Sequence, residues 1–540
     1  MTLTYAELLA VSELRAQWLL SNEVCAGQIV INILPHGLAL IHAYWGEVLL
    51  GCVPSILPTL SDKLSPEKYR ADVNALIQVT QPAAIVTDKA TADAAGLDLL
   101  SNVIRILYID APSCDTGTPT QRLSDGSTHN PEGIALLQHS SGSTGLQKGV
   151  ALTHTAIFNQ LLAYQHAINL GEQDVIVSWL PLYHDMGLIA CFIMPILTGI
   201  PVVLLSPFDW VRAPIRLFHA ISTYRGTLCW LPNFAFNFMA NPNRVRDRDL
   251  KNIDLTSLRG VINCSEPTYM ASMSKFALRF SQFGLTTSAL CVCYAMAENV
   301  FAVTQSGFGV PVKSETIQRE LLMTQSAAVI TTIESKTQES VVMLSAGRPL
   351  PNVHVAILDS TLTPLGDRHV GEIAIHSNCM LSSYYNRANL TDQAFCNIND
   401  VRHFLTGDLG YLADGELFIS GRKKDLIICA GKNIYPQDLE QLAGEVHGVH
   451  PGRVVAFGWF DDRTGTEEVV IIAESAETDA AALATVADEI RSTVSRNSDV
   501  LVRLVKIVPP GSLIKTSSGK IARSANKERY VSQLPAPGSL

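Results

Sequence analysis

The segment Leu137-Gln-His-Ser-Ser-Gly-Ser-Thr-Gly-Leu-Gln-Lys-Gly-Val-Ala-Leu-Thr-His154 is the most informative stretch of this sequence. Six of the seven residues at positions 140–146 are Ser, Thr or Gly, and Lys148 follows. Small side chains, hydroxyls, free backbone N–H groups and one cation are the groups that hold a polyphosphate. The segment is not the P-loop of kinases and GTPases, because Gly149 follows the lysine where that motif requires Ser or Thr. The alternative interpretation is a flexible Ser/Gly turn between two elements.

Length and composition indicate a globular protein with more than one domain. At 540 residues the chain exceeds what a single hydrophobic core normally supports. Hydrophobic residues make up 47% and charged residues 17% of the sequence, which excludes a disordered chain. The formal net charge of −10, without a long run of Lys or Arg, argues against a nucleic-acid-binding protein. Eleven cysteines occur without a Cys-x-x-Cys pair, so ordinary buried thiols in a reducing cytoplasm are expected.

The first residues predict a helix rather than a targeting signal. Thr4-x-x-Glu7 is a predicted capping box, and no basic-then-apolar segment accompanies it. Residues 187–208 carry no charge and are long enough to span a bilayer. Two prolines and a glycine interrupt this stretch, so we predict a buried helix followed by a strand and no membrane span.

The first 270 residues alternate helical patterns with short β-rich runs. Several runs are continuously apolar, as expected of parallel strands that are covered on both faces. An α/β fold with right-handed crossovers follows, and ligands in such folds collect at the carboxyl ends of strands. The predicted strands of this region are residues 29–34, 84–87, 103–109, 174–180, 202–205 and 260–263.

Three turns follow predicted strands and carry candidate site residues. The first is the Ser/Gly segment, and the second, Pro181-Leu-Tyr-His-Asp-Met-Gly, contains His184. No Gly-x-Ser-x-Gly nucleophile elbow accompanies the His-Asp pair, so His184 is either a turn residue or a substrate-site residue. In the third turn, Glu266 either binds a ligand or caps the helix that Pro267 opens.

Two later segments carry weaker signals. Tyr294 and Glu298 are four positions apart, and a helix would place both on one face. An aromatic ring there can stack on a base, and a carboxylate can ligate Mg²⁺. Residues 299–346 form a polar interval that is long for a connection, so they predict an insertion with its own small structure or function.

The later part of the chain begins with a predicted hairpin around Asp414-Gly415. Before it, Asp408 lies in a tight Thr-Gly-Asp turn, where a carboxylate can accept two sugar hydroxyls; a solvated turn is the alternative. A domain boundary is predicted near Gly421, followed by a compact α/β segment. The tail at residues 515–520 is rich in Lys, Ser and Gly, and is either a disordered terminus or a second phosphate contact.

Together and in this order, these segments resemble the adenylate-forming superfamily of acyl-CoA synthetases, peptide-synthetase adenylation domains and luciferases. The resemblance covers essentially the whole chain. Within the superfamily the sequence is most similar to fatty acyl-AMP ligases, which also have an insertion like residues 299–346. The segments that carry the resemblance are Ser141-Gly-Ser-Thr-Gly, Tyr294 with Glu298, Thr406-Gly-Asp408, Gly421-Arg422, Gly519-Lys520, Trp179-Leu-Pro-Leu-Tyr-His-Asp-Met-Gly-Leu-Ile and Gly431-Lys-Asn-Ile-Tyr-Pro-Gln-Asp-Leu-Glu440.

The resemblance implies both a fold and a site. An N-terminal domain, residues 1–420, would contain two α/β subdomains and a distorted β-barrel subdomain. Residues 421–540 would form a small, mobile α+β domain with a hinge at Lys424. The catalytic residues would be Lys520, His184, Thr144 and Glu298, with Thr144 and Glu298 at Mg²⁺. ATP or AMP would be bound by Ser140, Ser141, Gly142, Ser143, Thr144, Gly145, Lys148, Ser265, Glu266, Pro267, Tyr294, Ala295, Met296, Asp408 and Arg422.

Within this implied site the roles differ from residue to residue. Tyr294 would stack on adenine, Asp408 and Arg422 would take the ribose hydroxyls, and Lys520 would reach the reacting carboxylate. Two departures from the superfamily pattern occur. Ala297 stands where many relatives have a Thr at the α-phosphate, and His139-Ser140 replaces a commoner Tyr-Thr pair.

The implied reaction is the ATP-dependent activation of a fatty acid to an acyl-adenylate, with transfer to the phosphopantetheine thiol of an acyl carrier protein. Both reactants are anions, so Mg²⁺, Lys148 and Lys520 would offset their repulsion. A fatty carboxylate with a pKa of about 4–5 is already ionised at neutral pH, so no general base is needed. CoA is the alternative acceptor. A non-catalytic member that binds acyl-AMP or a partner is the rival from another class.

Overall fold

The computed structural model describes residues 2–61, 64–110, 130–140, 148–331, 340–429, 432–461, 466–498, 500–516 and 520–533. Thr4 and Glu7 form the predicted capping box at the first helix. The α-helices are Tyr5–Ser21, Leu38–Leu50, Pro66–Thr80, Lys89–Ala95, His154–Ala167, Met194–Thr198, Pro207–Arg212, Ile215–Tyr224, Asn233–Ala240, Met270–Phe280, Arg319–Gln325, Ala388–Gln393, Pro436–Gly444, Ala480–Ser498 and Arg523–Val531. Shorter 3₁₀ turns are Leu97–Leu100, Asp247–Leu250, Ser281–Phe283, Thr287–Ala289, Ala297–Asn299 and Lys423–Asp425.

Two parallel sheets confirm the predicted α/β architecture. The first is a four-stranded sheet whose strands are parallel and mostly buried on both faces, which explains their continuously apolar sequences. Its strand order is Val53–Ile56, Ile29–Ile33, Ala84–Thr87 and Arg105–Tyr108.

The second is a seven-stranded sheet at the centre of the largest hydrophobic core. Five of its strands run parallel to one another, and the two strand pairings at one edge are antiparallel. Its order is Arg348–Pro349, Ala302–Gln305, Leu290–Ala295, Gly260–Cys264, Leu228–Leu231, Ile176–Ser178 and Val202–Leu204.

Antiparallel strands form two further sheets of the fold. The predicted hairpin is confirmed, because Asp414 and Gly415 have φ of 53° and 75° in the turn between its strands. The larger sheet contains Val353–Leu358, Gly371–Ser377, Val401–Ala413, Phe395–Ile398 and Glu416–Arg422. A three-stranded sheet contains Ser383–Tyr384, Lys148–Thr153 and Ile134–Ser140.

The C-terminal part has a hydrophobic core of its own. A hairpin, Ile427–Cys429 with Lys432–Ile434, precedes a sheet of Val449–Asp461, Thr466–Ser475 and Val502–Val508. The strand Glu416–Arg422 runs through position 421, where the sequence predicted a boundary. The division into residues 1–420 and 421–540 therefore stays a prediction.

Three sequence predictions are settled by these elements. The uncharged stretch 187–208 is a π-helix, Met186–Ile193, that continues into Met194–Thr198 and is followed by a strand, as expected. No helix among the described residues is long and apolar enough to cross a membrane. The interval 299–346 is only partly an insertion, because Ala302–Gln305 belongs to the central sheet; the rest includes the pair Ser314–Gln318 and Ser340–Leu344 with helix Arg319–Gln325.

Candidate active site

Tyr294 and Glu298 lie at the carboxyl end of a central strand, but not on a helix. Tyr294 is the penultimate residue of the strand Leu290–Ala295, and Glu298 lies in the 3₁₀ turn Ala297–Asn299. The predicted helical face shared by the two residues is therefore wrong. The end of the strand instead sets the direction of the Tyr294 phenol, and the turn that follows sets the direction of the Glu298 carboxylate.

The turn that carries Glu298 is held in a strained conformation. Val300 has φ of 62° and ψ of −53°, which is unfavourable for a β-branched residue. The Phe301 N–H donates to the Asn299 carbonyl at 2.6 Å, and the buried Asn299 amide donates to the Ala302 carbonyl at 2.7 Å. These bonds fix the direction in which the turn presents Glu298.

A chain of polar contacts joins the buried residues Tyr294 and Asp408 to Arg422, whose side chain is exposed. The Tyr294 hydroxyl donates to Asp408 Oδ2 at 2.7 Å, and Arg422 Nε lies 3.1 Å from Asp408 Oδ1. Asp408 and Arg422 are direct partners across their hairpin. Burial raises the pKa of Tyr294, and the charge of Asp408 raises it further. Each Asp408 oxygen keeps a second lone pair, so the carboxylate can still accept hydroxyls from a sugar.

A second cluster joins Glu298, Tyr384 and Lys148. The Tyr384 hydroxyl donates to Glu298 Oε1 at 2.8 Å, and the Lys148 ammonium lies 4.6 Å from the centre of the Tyr384 ring. Burial and the Glu298 charge raise the pKa of the phenol, so it is a protonated donor. Sequence analysis missed Tyr384, because no local pattern marks a residue whose partners are distant in the chain.

The Ser/Gly segment connects two antiparallel strands. Ser140 ends the strand Ile134–Ser140 and pairs in register with Lys148, the first residue of Lys148–Thr153. The segment thus joins two regular elements, as both interpretations required. Five predicted phosphate-binding residues lie outside the described part of the chain, and their roles stay predictions; they are Ser141, Gly142, Ser143, Thr144 and Gly145.

Lys520 lies close to the His184 turn. Burial, together with the charge of Lys520, lowers the pKa of His184 to about 3. Burial raises the pKa of the neighbouring Asp185, while Lys520 opposes that shift. The buried His184 Nε2 has no hydrogen-bond partner in the part of the chain that the structure describes. A buried imidazole and a buried carboxyl group on this turn therefore lie within electrostatic reach of an ammonium from a distant segment.

Arg523 fixes the segment that carries Lys520. Its guanidinium pairs with Asp425 and makes two 2.9 Å hydrogen bonds to the Glu440 carboxylate. Asp425 belongs to the turn Lys423–Asp425, so Arg523 links the lysine segment to the predicted hinge. Sequence analysis did not assign Arg523 a role.

In the turn at residues 265–267, Glu266 contacts the neighbouring helix and does not cap the helix that follows the turn. Glu266 Oε2 accepts a hydrogen bond of 2.9 Å from the Phe234 N–H, so it satisfies the start of helix Asn233–Ala240. The helix after Pro267 begins only at Met270, and the prediction that Pro267 opens it is wrong. Ser265 has φ of 72°, which marks a tight turn at the end of its strand.

The remaining predicted residues surround the same strand ends. Ala295 and Met296 are partly buried against the main core, directly after Tyr294. Lys424 lies in the surface turn Lys423–Asp425, and partial desolvation of its ammonium, with the charges of Arg422 and Lys148, lowers its pKa. A hinge motion at Lys424 stays a prediction.

Comparison with known proteins identifies the family. Residues 1–385 match the AMP-binding enzymes. A long-chain-fatty-acid–AMP ligase, FadD26 of Mycobacterium marinum, is 32% identical over 98% of this chain and 91% of its own length. JamA of Moorena producens, a medium-chain-fatty-acid–[acyl-carrier-protein] ligase, is 31% identical over 95% of this chain and 87% of its own.

A solved structure supports the same placement. It comes from work on fatty acyl-adenylate ligases of E. coli and L. pneumophila, and is 30% identical with a TM-score of 0.88. The match covers 98% of this chain and 93% of that chain. The Tyr294–Asp408–Arg422 chain and the Glu298 turn thus occur in a protein that belongs to the AMP-binding enzyme family, within its fatty acyl-AMP ligase branch.

Proposed function

We propose that this enzyme couples ATP to a fatty carboxylic acid, forms an acyl-adenylate with release of pyrophosphate, and passes the acyl group to an acyl carrier protein. The observation that carries the first step is the position of Lys520. Its charge shifts the pKa values of His184 and Asp185, which belong to the turn after the central strand Ile176–Ser178. Similarity to fatty-acid–AMP ligases over nearly the whole chain supports the substrate class.

The carboxylate of Glu298 fits a divalent oxygen-seeking cation. Tyr384 occupies only Oε1, and Glu298 Oε2 makes no hydrogen bond or ion pair with the residues that the structure describes. Mg²⁺ prefers such carboxylate oxygens and phosphate oxygens. Bound there, Mg²⁺ would supply positive charge to the phosphates of ATP. The predicted second ligand, Thr144, lies outside the described residues.

The protein's own side chains have separate tasks in this reaction. Asp408 and Arg422 would hold the ribose, and Tyr294 would contact adenine. Lys148 would neutralise the leaving pyrophosphate, and Lys520 would draw the fatty carboxylate toward the α-phosphorus. The carboxylate is ionised at neutral pH, so no side chain has to remove a proton. Fixing both reactants in line can lower the barrier by about 7–11 kcal/mol in favourable systems.

The insertion makes contacts that support a carrier protein rather than CoA as the acceptor. Met323, on the helix Arg319–Gln325, packs in the hydrophobic core of the C-terminal part with Ile434 and Leu439. Asn433 Nδ2 lies 3.4 Å from Ser326 Oγ. Such contacts would restrain the rotation about Lys424 and so disfavour transfer to the thiol of CoA. JamA, which is named as an acyl-carrier-protein ligase, is similar to 95% of this chain.

Product analysis distinguishes the two acceptors. The enzyme is incubated with ATP, Mg²⁺, fatty acids of increasing chain length, CoA and a pantetheinylated carrier protein. All products are then identified and quantified by mass spectrometry. We expect acyl-adenylate and acyl-carrier protein, with little acyl-CoA. Dominant acyl-CoA would remove the carrier assignment and leave an acyl-CoA synthetase.

The ten free cysteines among the described residues fit a reducing cytoplasm, where we place the reaction.

Tyr384→Phe is expected to slow adenylate formation about tenfold or more, because a hydrogen bond to a charged group contributes about 1.5–3 kcal/mol. The ring remains, so the Lys148 contact persists. Tyr384→Leu removes both contacts and should be slower still. Rates measured against Mg²⁺ concentration should show a higher half-saturating concentration in the Phe variant. The adjacent Tyr385→Phe is the control and should behave like the wild type; equal effects of both substitutions would argue against this role for Tyr384.

Met323→Ala is expected to raise the acyl-CoA fraction of the products about 2- to 10-fold, which corresponds to a coupling of about 0.5–1.4 kcal/mol. The change weakens the packing of the insertion against the C-terminal core. Met343→Ala is the matched control, because that buried methionine of the same insertion belongs to a different hydrophobic cluster, in which Tyr435 is the one fully buried member from the C-terminal part. An unchanged product ratio for Met323→Ala would contradict the proposed restraint.

A further inference from the structure

Gln138 forms a buried link between the strand that leads into the Ser/Gly segment and the turn that carries His184. Its side-chain Nε2 donates a hydrogen bond of 2.8 Å to the Tyr183 carbonyl, which is 45 positions away in the chain. Gln138 is only 3% exposed. A hydrogen bond at this depth is stronger than one in water, so it ties the two distant segments firmly together.

Lys148 lies on the same face of its sheet as Gln138. Gln138 pairs directly with Val150 across the two strands, and directly paired residues share a face. Val150 and Lys148 are two positions apart in one strand, so they share that face as well. The side that Gln138 holds against the His184 turn is therefore the side that carries the proposed pyrophosphate contact.

The turn that accepts this hydrogen bond is tightly closed. The His184 N–H donates to the Pro181 carbonyl at 3.3 Å. Gly187 packs so closely on the start of the turn that an added Cβ would lie 2.3 Å from the Pro181 carbonyl oxygen. Because the turn has no room to deform, a shift of the Tyr183 carbonyl would also move His184.

Two observations indicate that Gln138 does more than hold its strand in place. Its Oε1 is buried and has no hydrogen-bond partner in the described ranges of the chain, a cost that an apolar side chain of similar size would avoid. On the opposite face the strand has a separate anchor, where His139 Nε2 lies 2.7 Å from the hydroxyl of the buried Ser55. The particular contribution of Gln138 is therefore its contact with the His184 turn.

We propose that Gln138 is a positioning residue that aligns the pyrophosphate side of the site with the carboxylate side, a role that rests on the proposed adenylation reaction. Lys520, whose charge reaches His184, would hold the fatty carboxylate on the side of the turn. Lys148 would hold the leaving pyrophosphate on the side of the strand. In-line displacement needs the two sides at a fixed separation, because a misplacement of about 1 Å can cost about 100-fold in rate.

Gln138→Met tests this role, because it removes the donated hydrogen bond and nearly keeps the volume of the side chain. We expect single-turnover adenylate formation to slow about 10- to 100-fold, while the affinities for ATP and for fatty acid, each measured alone by calorimetry, stay within about twofold of the wild type. An acyl-sulfamoyl adenosine, a stable analogue that occupies both sides at once, should bind at least about tenfold more weakly. Gln138→Glu, which lacks the N–H donors at neutral pH, is a second variant and should also slow the reaction.

Thr87→Val is the matched control, because Thr87 also donates a buried hydrogen bond of 2.8 Å to a carbonyl, that of Ile33, within the first parallel sheet. It should lose a similar amount of thermal stability and keep the wild-type rate and analogue affinity. A wild-type rate in both Gln138 variants, or equal slowing by Thr87→Val, would overturn the proposal. A wild-type enzyme that forms no adenylate would instead contradict the proposed function, and analogue binding, which needs no turnover, would still test the alignment.

Discussion

Lys520→Ala is expected to slow acyl-adenylate formation about 1,000-fold while leaving ATP binding nearly unchanged. Two unit charges about 4 Å apart interact by about 4 kcal/mol near a protein surface, and every 1.36 kcal/mol is a factor of ten in rate. In the proposed reaction this energy offsets the repulsion between the fatty carboxylate and the α-phosphate. In the proposed site Lys520 would contact only the reacting groups, so the ATP contacts proposed for Asp408 should survive its removal.

The measurement separates binding from chemistry. Adenylate is quantified by mass spectrometry in single turnovers, and ATP affinity is measured by calorimetry without fatty acid. Lys527→Ala is the matched control, because this lysine lies on the adjoining helix Arg523–Val531 and pairs at the surface with Glu467. It should keep wild-type rates. A Lys520→Ala enzyme that adenylates at the wild-type rate would remove the role we assign to this lysine.

Glu298→Gln is expected to reduce adenylate formation by about 100-fold or more, because it removes the charge that would hold Mg²⁺ near the phosphates. Metal ions stabilise such transition states by several kcal/mol. The amide keeps the shape of the side chain and can still accept the Tyr384 hydrogen bond, so the strained turn at Val300 should persist. The loss should therefore appear in the rate and not in stability.

A Mg²⁺ titration of the Gln variant checks the cause of the loss. Raising Mg²⁺ should recover part of the activity if the carboxylate binds the ion, and thermal unfolding should match the wild type. Glu298→Asp, which keeps the charge on a shorter side chain, should retain more activity than Glu298→Gln. Equal activity of the two variants would contradict a charge-based role for Glu298.

Much of the fold follows from local sequence patterns. The continuously apolar runs at 84–87 and 260–263 became buried parallel strands, and the Asp414-Gly415 signal became a hairpin turn. These patterns work because strand burial and turn chemistry act over a few residues. Asp408 and Arg422 were assigned by resemblance, and the hairpin register explains why they meet.

Local sequence patterns do not predict contacts between residues that are far apart in the chain. Tyr384 bonds Glu298 across 86 positions, and Arg523 bonds Glu440 across 83. Each of these contacts arises from the three-dimensional arrangement of distant segments.

Two local predictions failed for identifiable reasons. Spacing of four residues between Tyr294 and Glu298 suggested a helix, but the β-rich residues before them continue a central strand, and only a 3₁₀ turn follows. Pro267 suggested a helix start, because proline favours the first helical turn. The chain instead turns at Ser265 and enters a helix only at Met270, and Glu266 bonds the neighbouring helix at Phe234.

Fatty-acid-dependent exchange of labelled pyrophosphate into ATP tests the central claim most directly, because it reports reversible adenylate formation without any thiol acceptor. We predict exchange that requires Mg²⁺ and a fatty acid and that Lys520→Ala abolishes. A folded enzyme that binds ATP but shows no exchange with fatty acids of any chain length would contradict the account and favour a non-catalytic acyl-AMP-binding role.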